Sequence, residues 1–372
     1  MTSKEKHRKH PPMIRPVSGN YHNQEWSIYG TTCGKIEAFF NNIREALIDH
    51  SLLYVDADHN GDVAGSIYQV KEKQFSSSST RVWNDYDDKL SGFDFDAVFI
   101  NGNHYPASQQ IVILDPNKID SLERRKEQLT NIRFIIKTST DQVIFPFIKE
   151  RMNEETVVLD VGKMPLLMDE ISAVLLNKQP KLKALVLAGG KSQRMGKDKS
   201  LLSYYEEKPQ QLYMAEMCQS LGIETVISKS LDFGEKKLEG FPVIKDRMSE
   251  MGPFGAIISA FLFDPKAAWL VVACDLPFLT KEQLTLLIDK RNSSKVATTF
   301  KRKSQKFPEP LITIYEPKAY LRFLQMMALG YSCPRKVIIN SDVEVIETKE
   351  EQFLSNINTM TERNEVLSKL RN

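Results

Sequence analysis

The stretch LVLAGGKSQRMGKDKSLL, residues 185–202, decides how the chain is read. An apolar run ends in Ala188-Gly189-Gly190, and Lys191, Arg194, Lys197 and Lys199 then crowd around a third glycine. Glycines lack the Cβ that would keep a ligand away from the backbone. Several N–H groups turned into one concavity make an anion-binding nest, and the cations that follow suit the same charge. The pattern reads as a phosphate site. It is not Walker A, whose GxxxxGK[ST] spacing is absent, nor the GxGxxG dinucleotide fingerprint, because Gly189 and Gly190 are adjacent. The competing reading is a glycine turn beside an exposed basic surface.

Composition narrows the function classes. A chain of 372 residues is long for one core, so two domains are expected. Its formal net charge of +2 gives no support for a protein that coats nucleic acid or an anionic membrane. Cys33, Cys218, Cys274 and Cys333 are scattered without a CxxC pair, so neither a zinc site nor a disulfide framework is expected, and a reducing cytoplasmic location fits. The opening MTSKEKHRKHPPMIRP has no apolar segment after its basic residues and does not read as a secretory signal. Residues 1–19 read as a flexible basic tail, with the holding of an anionic partner as the alternative.

Strand-like and helical runs alternate in both halves. In the first, strands are expected at EWSIYG before Thr31 and at 51–58, 95–102, 110–115, 131–138 and 156–161. Ile36, Phe39, Phe40, Ile43 and Leu47 share one face of a helix over 34–50. Such alternation argues for a parallel sheet covered by helices. A hairpin joining 95–102 to 110–115 is the alternative, and would add an antiparallel edge. NKQPKLK, residues 177–183, reads as a linker between a domain at 20–176 and one at 184–372. In the second half strands are expected at KALVLAG, 224–230, 241–246, 267–275, 295–300 and 309–316. Helices are expected around 209–221, 253–263, 280–291 and 317–329. SSSST (76–80) and KRKSQK (301–306) read as short exposed low-complexity segments.

Four features downstream of the glycine turn sharpen the phosphate reading. In VVACDLPF, Asp275 follows an apolar strand, and the carboxyl end of a parallel strand faces the ligand crevice. Opposite a triphosphate its natural partner is Mg²⁺, which takes one or two carboxylates plus phosphates; capping of the next turn is the alternative. IKDRMSEMGPFGAI repeats the arrangement, with Asp246 ending a strand and a Gly-Pro-Phe-Gly entry into a helix. FPEPLITIYEP puts a rigid turn before a strand, and FLSNINTMTE gathers Asn356, Asn358 and Thr359. Those amides suit ligand contact or an Asx turn with a helix cap.

LAGGKSQRMGKDKSLL, IKD…GPFGAI, ACDLPF, PEPLITIY and NINT follow one another in an order and spacing that resemble the molybdenum cofactor guanylyltransferases. These belong to the glycosyltransferase-A-like nucleotidyltransferases, so the resemblance implies a Rossmann-like α/β domain over residues 183–372. Gly190 looks like the guanylyl form, since the related cytidylyl enzymes usually carry LAAG. The resemblance implies that Leu187, Ala188, Gly189 and Gly190 contact GTP and that Lys199 binds its phosphates. It implies that Asp246 binds the nucleotide, that Asp275 binds nucleotide and Mg²⁺, and that Asn358 joins the site. Ser228 stands where the family commonly offers an asparagine. In GYSCPRKV (330–337), where the family loop is richer in arginine, Arg335 and Lys336 remain as cations for the pterin phosphate. The implied reaction moves GMP from GTP to the phosphate of molybdenum-molybdopterin and releases pyrophosphate. Lys199 and Arg194 would offset charge on the leaving group, and no nucleophilic side chain is needed. Cys274 reads as a packing residue. CTP, another phosphorylated acceptor, or a non-catalytic cofactor carrier are the alternatives. Implied partners are small-molecule substrates, other cofactor-assembly proteins and recipient molybdoenzymes, with no nucleic acid and no membrane.

In the first half, YGTTCGKIEAFF invites comparison with a P-loop. Aligned on Gly34-Lys35, Tyr29 replaces the first Walker A glycine and Ile36 replaces the Ser/Thr that holds Mg²⁺, so NTP hydrolysis is not expected. Residues 20–170 look like a degenerate relative of the molybdopterin-guanine dinucleotide adaptor protein. Asp56, Asp58, His59 and His104 form either a polar or metal cluster near the old nucleotide site or, as favoured here, ordinary strand-end polar groups.

Overall fold

Alternate residues of single strands serve opposite cores, and that periodicity builds both sheets of the protein. In this computed structural model the described residues are 19–21, 23–57, 65–70, 73–78, 84–177, 179–188, 201–205, 208–248, 250–357 and 360–370. The expectations for the basic tail, for Asp58 and His59, for Gly189, Gly190, Lys191, Arg194, Lys197 and Lys199, and for Asn358 and Thr359 lie outside them. The chain divides into two compact units, with the division between Gln179 and Pro180.

The first unit contains β1 (Gln24–Tyr29), α1 (Cys33–Ala46), β2 (Leu52–Val55), β3 (Gly65–Val70), β4 (Lys73–Ser78), α2 (Asp85–Gly92), β5 (Ala97–Asn101), β6 (Gln109–Leu114), α3 (Ile119–Glu123), β7 (Ile132–Lys137), α4 (Pro146–Lys149), β8 (Val157–Asp160) and α5 (Met164–Asn177). Six strands make one sheet in the order β2-β5-β1-β6-β7-β8, with every pairing parallel. Trp26 and Ile28 of β1 point to the core under α1 and α5, with Ile36, Phe40 and Ile43 from α1. Tyr29, next along, packs on the other face with Val112, Leu114, Leu122 and Phe147. This is the two-residue period of a sheet buried on both faces. Thr32 caps α1 by accepting the Lys35 N–H. The hairpin alternative fails because β1 lies between β5 and β6 and pairs parallel with each. A different hairpin exists, β3 with β4 in antiparallel register, and it takes up Ser76–Ser78 of the serine run expected to be low-complexity surface.

The second unit contains β9 (Leu182–Leu187), α6 (Gln210–Ser220), β10 (Glu224–Lys229), β11 (Lys237–Leu238), β12 (Phe241–Lys245), α7 (Pro253–Phe263), β13 (Ala268–Ala273), α8 (Lys281–Asp289), β14 (Ala297–Arg302), β15 (Ile312–Tyr315), α9 (Lys318–Ala328), α10 (Pro334–Ile339), β16 (Val343–Thr348) and α11 (Met360–Leu370). Its sheet runs β11-β12-β10-β9-β13-β15-β14-β16. The pairings β12-β10-β9-β13 are parallel, while β15 is antiparallel to both β13 and β14 and β11 is antiparallel to β12. Ala184 and Val186 of β9 face the core with Met214, Cys218, Leu284 and Leu287. Leu185 faces the opposite core with Phe254, Ile257, Phe261 and Phe323. Helix α7 is buried along almost its whole length, which explains a sequence, PFGAIISAFLF, that is apolar on every side. The strand expected from Lys183 opens at Leu182, and α5 reaches Asn177. The basic run at 301–306 begins inside β14, so Lys301 and Arg302 are half-buried and only Lys303 to Lys306 are exposed.

Candidate functional site

Four parallel strands of the second unit end together, and their register puts the predicted residues in rows. Leu187 is paired with Ser228 on one side and Ala273 on the other, and Ser228 with Ile244. Asp246 lies two residues beyond Ile244 and Asp275 two beyond Ala273, so both follow the same row at the carboxyl end of the sheet. Chain order runs outward from β9 through β10 to β12, then returns to β13 on the other side of β9. That reversal is a topological switch point, where open α/β sheets bind ligands.

Each strand end is held by specific bonds. Ala188 N–H donates to Ser228 O at 3.2 Å, and Asp246 N–H donates to Lys229 O at 2.8 Å, which extends the ladder past the last strand residues. Asp246 Oδ1 accepts the Met248 N–H at 2.8 Å and lies 3.2 Å from Ser259 Oγ on α7. The entry to α7 makes this turn possible. Gly252 has φ +55°, a backbone that disfavours side chains, and Pro253 opens the helix where a missing N–H is harmless. A Cβ on Gly255 would sit 2.6 Å from Met248 O and 3.0 Å from Asp246 Oδ1. The motif IKD…GPFG is thus the geometry of one turn.

Asp275 is half-exposed after the fully buried β13. Ile357 N–H donates to Asp275 O at 3.0 Å, and Asn356 Nδ2 donates to Asp275 Oδ1 at 3.3 Å. Asn356, which the sequence reading gathered with Asn358 and Thr359, therefore reaches this carboxylate. Tyr204 packs with Ile357 and Val366 nearby, and burial pushes its hydroxyl up to about 12, with Arg363 opposing and the Asp275 charge adding to the shift. Cys274 is buried, as a packing residue should be, and burial pushes the Cys218 thiol up to about 12. Among the described residues no group of three or more His, Cys, Asp or Glu side chains could hold a metal ion. The Asp275 carboxylate is by itself a hard oxygen donor, the type that Mg²⁺ takes alongside phosphates.

Two further motifs converge away from this turn. Glu309 of FPEP has its N–H on Phe300 O at 2.8 Å, and its carbonyl accepts Thr299 Oγ1 at 2.7 Å. Its carboxylate lies 3.4 Å from Arg302 Nε and 3.7 Å from Arg335 Nη2. Lys336, beside Arg335 on α10, holds its ammonium 3.8 Å from the centre of the Tyr331 ring.

In the first unit the carboxyl ends of β1, β2, β5 and β6 carry a dense polar network. Lys35 Nζ pairs with Asp115 Oδ2 at 2.9 Å, and Thr31 Oγ1 donates to the same oxygen at 2.8 Å. The Lys35 hydrogen bond is the largest cause holding the Asp115 carboxyl below its ordinary range, with Thr31 and the Asn117 N–H assisting against burial. Asp56 accepts both Asn101 Nδ2 (2.9 and 3.1 Å) and the Tyr54 hydroxyl (2.9 Å). His104 Nε2 lies 3.7 Å from Asp56 Oδ1 and 3.4 Å from Cys33 Sγ. The structure brings Asp56 and His104 together in a hydrogen-bonded strand-end cluster.

Comparison with known proteins agrees with the C-terminal geometry. Residues 184–344 match the family model of the MobA-like NTP transferase domain. A molybdenum cofactor biosynthesis bifunctional protein of Synechocystis is 33% identical over 184 residues, 49% of this chain and 52% of that protein, so the chain spans about half of that relative's length. A probable molybdenum cofactor guanylyltransferase of Pyrococcus horikoshii is 35% identical over 138 residues, covering 36% of this chain and 69% of the relative. Among solved structures, molybdopterin-guanine dinucleotide biosynthesis protein A of Archaeoglobus fulgidus matches 51% of this chain and 98% of its own, at 20% identity and a TM-score of 0.42. Through residues 184–344 of its second unit, the chain belongs to the family of MobA-like NTP transferases.

Proposed function

We propose that the second unit transfers GMP from GTP to the terminal phosphate of molybdenum-molybdopterin, forming molybdopterin guanine dinucleotide and pyrophosphate. The observation that carries this reading is the shared row of Leu187, Ser228 and Ala273, with Asp246 and Asp275 two residues beyond it at the switch point. A phosphate oxygen of the pterin attacks the α-phosphorus of GTP, and the bond from that phosphorus to the oxygen bridging to the β-phosphate breaks. The protein's work is positioning and charge compensation, so no nucleophilic side chain is called for. Leu187, Ala188, Gly189, Gly190, Ser228, Asp246 and Asn358 are the residues proposed to contact the nucleotide. Lys199 and Arg194 offset charge on the departing pyrophosphate. Asp275, steadied by Asn356, would hold Mg²⁺, which when bound neutralises triphosphate charge and polarises the α-phosphate. Arg335 and Lys336 are the cations for the pterin phosphate. The first unit, a P-loop-like module with its lysine paired internally, binds the cofactor or a recipient molybdoenzyme.

The test offers molybdenum-loaded molybdopterin and Mg²⁺ with GTP, CTP or ATP in parallel, following pyrophosphate and dinucleotide product. Product from GTP alone is expected, and Asp275→Asn should abolish it while leaving the fold intact. Product from CTP would move the chain to the cytidylyl branch. Failure with all three would remove the reading.

A further inference from the structure

Cys33 opens α1 just after the turn that ends β1, and its sulfur lies 3.4 Å from Nε2 of His104, which stands beyond the end of β5. The same nitrogen lies 3.7 Å from Oδ1 of Asp56, beyond the end of β2. Asp56 in turn accepts from the Tyr54 hydroxyl and from Asn101 Nδ2. Asn103 Nδ2 donates to Thr31 O at 3.1 Å and approaches the Cys33 sulfur at 3.7 Å. A nucleophile beside a base, with a third group facing the base, is the arrangement that activates a thiol. Its place in the fold is also where a ligand arrives. β1 has β5 on one side and β6 on the other, and the chain fills the first side before crossing to the second, so Cys33 follows the strand at the switch point of its sheet. Cys33, His104 and Asp56 are all partly exposed, whereas a packing cysteine is buried, as Cys218 and Cys274 are.

We propose that Cys33 is a nucleophilic thiol that exchanges with small disulfides, with His104 as its base. The thiol proton passes to His104 Nε2, which then faces the thiolate and the Asp56 carboxylate together, so both neighbours of the new positive charge are negative. The Cys33 sulfur attacks one sulfur of the incoming disulfide. The new S–S bond forms as the old one breaks, and the departing thiolate takes the proton back from His104. Cys33 ends as a mixed disulfide, the incoming disulfide is reduced to one thiol, and excess thiol reverses the step. A disulfide suits this site better than an acyl group. Exchange at sulfur needs a thiolate and a proton for the leaving group, whereas acyl transfer also needs donors aimed at an oxyanion. The amide beside the sulfur, Asn103, is already turned to Thr31 O. This chemistry is independent of the nucleotide reading of the second unit.

The test treats the full chain near neutral pH with 2-hydroxyethyl disulfide, a small uncharged probe, and follows each cysteine separately by peptide mass spectrometry. Exposure alone ranks Cys333 first, because it is exposed and Cys33 only partly so. Cys333 also stands at the start of a helix, as the cap of α10, so the comparison isolates the histidine. The thiolate is the attacking form and a free thiol is only a few per cent ionised at neutral pH, so Cys33 should react about 10- to 30-fold faster than Cys333. Buried Cys218 and Cys274 should stay unmodified. His104→Gln should bring the Cys33 rate down to that of Cys333 and leave Cys333 itself unchanged. A wild type whose Cys33 reacts no faster than Cys333 overturns the inference, a result that needs no variant to fold. So does a His104→Gln protein with the parent's Tm whose Cys33 keeps its advantage.

Discussion

Gly255→Ala tests whether the turn around Asp246 has the geometry described. The new methyl would lie 2.6 Å from Met248 O, 2.9 Å from Met248 Cβ and 3.0 Å from Asp246 Oδ1. The nearest of these atoms is backbone, so it cannot swing aside like a side-chain end. Forcing a methyl into a packed site costs about 1–3 kcal/mol, and a clash with backbone takes the upper part of that range, about 2–3 kcal/mol, while replacing a helical glycine by alanine returns about 1 kcal/mol. The net loss should be about 1–2 kcal/mol, read as a fall in Tm of about 2–8 °C for a unit of this size. The strain falls on the segment that carries Asp246, so GTP affinity should drop in the same variant. Gly34→Ala in α1 is the control, since its Cβ meets nothing within 4 Å and its backbone is helical. It should be neutral or slightly stabilising, by up to about 1 kcal/mol. Urea unfolding and nucleotide titration on both variants decide the matter. A Gly255→Ala protein as stable as its parent, with unchanged affinity, would refute the packing argument. Lost stability with unchanged affinity would detach Asp246 from the nucleotide.

Two other perturbations have signs that follow from the structure. Glu316 is fully buried and takes Arg291 in a fork, with Nε at 2.7 Å and Nη2 at 2.9 Å, while Nη2 also reaches Pro180 O at 2.8 Å. Arg291→Met should cost about 3–5 kcal/mol in chemical denaturation by stranding a buried carboxylate, and adding Glu316→Leu should recover most of it; a single-variant loss under about 1 kcal/mol would contradict the burial. In the first unit, the carboxyl of Asp115 titrates below its ordinary range because Lys35 donates to it. A carboxyl depressed in the folded state contributes stability that is complete above its unfolded value of about 3.9 and is lost as pH falls through the lower folded value. Thermal melts between about pH 5 and pH 2 should show that loss, and Asp115→Asn should flatten it; an unchanged pH profile would mean that the Lys35 pair contributes nothing.

Much of this was readable from residue patterns where local chemistry and tertiary structure agree. All the strands expected in the first half formed, because runs such as FDAVFING are apolar on both faces and have no use except inside a sheet. Direction was not readable. EPLITIYE looks like its parallel neighbours, yet β15 runs antiparallel to β13, since a buried strand shows the same side chains in either direction. The β3–β4 hairpin escaped because serine-rich KQFSSS has no apolar alternation to announce it. In the site, aspartates after apolar strands were legible as strand-end groups, whereas Lys229 was not. Nothing in ISKS distinguishes a lysine that snorkels to solvent from one that turns inward to a carbonyl on the neighbouring strand.

The two units treat the same kind of location in opposite ways. In each, a strand with neighbours on both sides ends at the carboxyl edge of the sheet, where ligands bind. In the first unit that edge has closed on itself. Lys35, aligned with the phosphate lysine of a P-loop, spends its charge on Asp115, and Ile36, aligned with the metal-holding hydroxyl, is wholly buried in the core beneath the sheet. A hydroxyl there would have to face Phe40 and Ile43 in that core and not a metal, so restoring the motif would work against packing. In the second unit the edge carries Asp275, which is half-exposed and accepts from the Asn356 amide. A carboxylate already satisfied by an ammonium has little left to offer an incoming cation. The closed edge of the first unit therefore follows from two residues, the Lys35–Asp115 pair and the buried Ile36, and not from the parallel sheet that both units share.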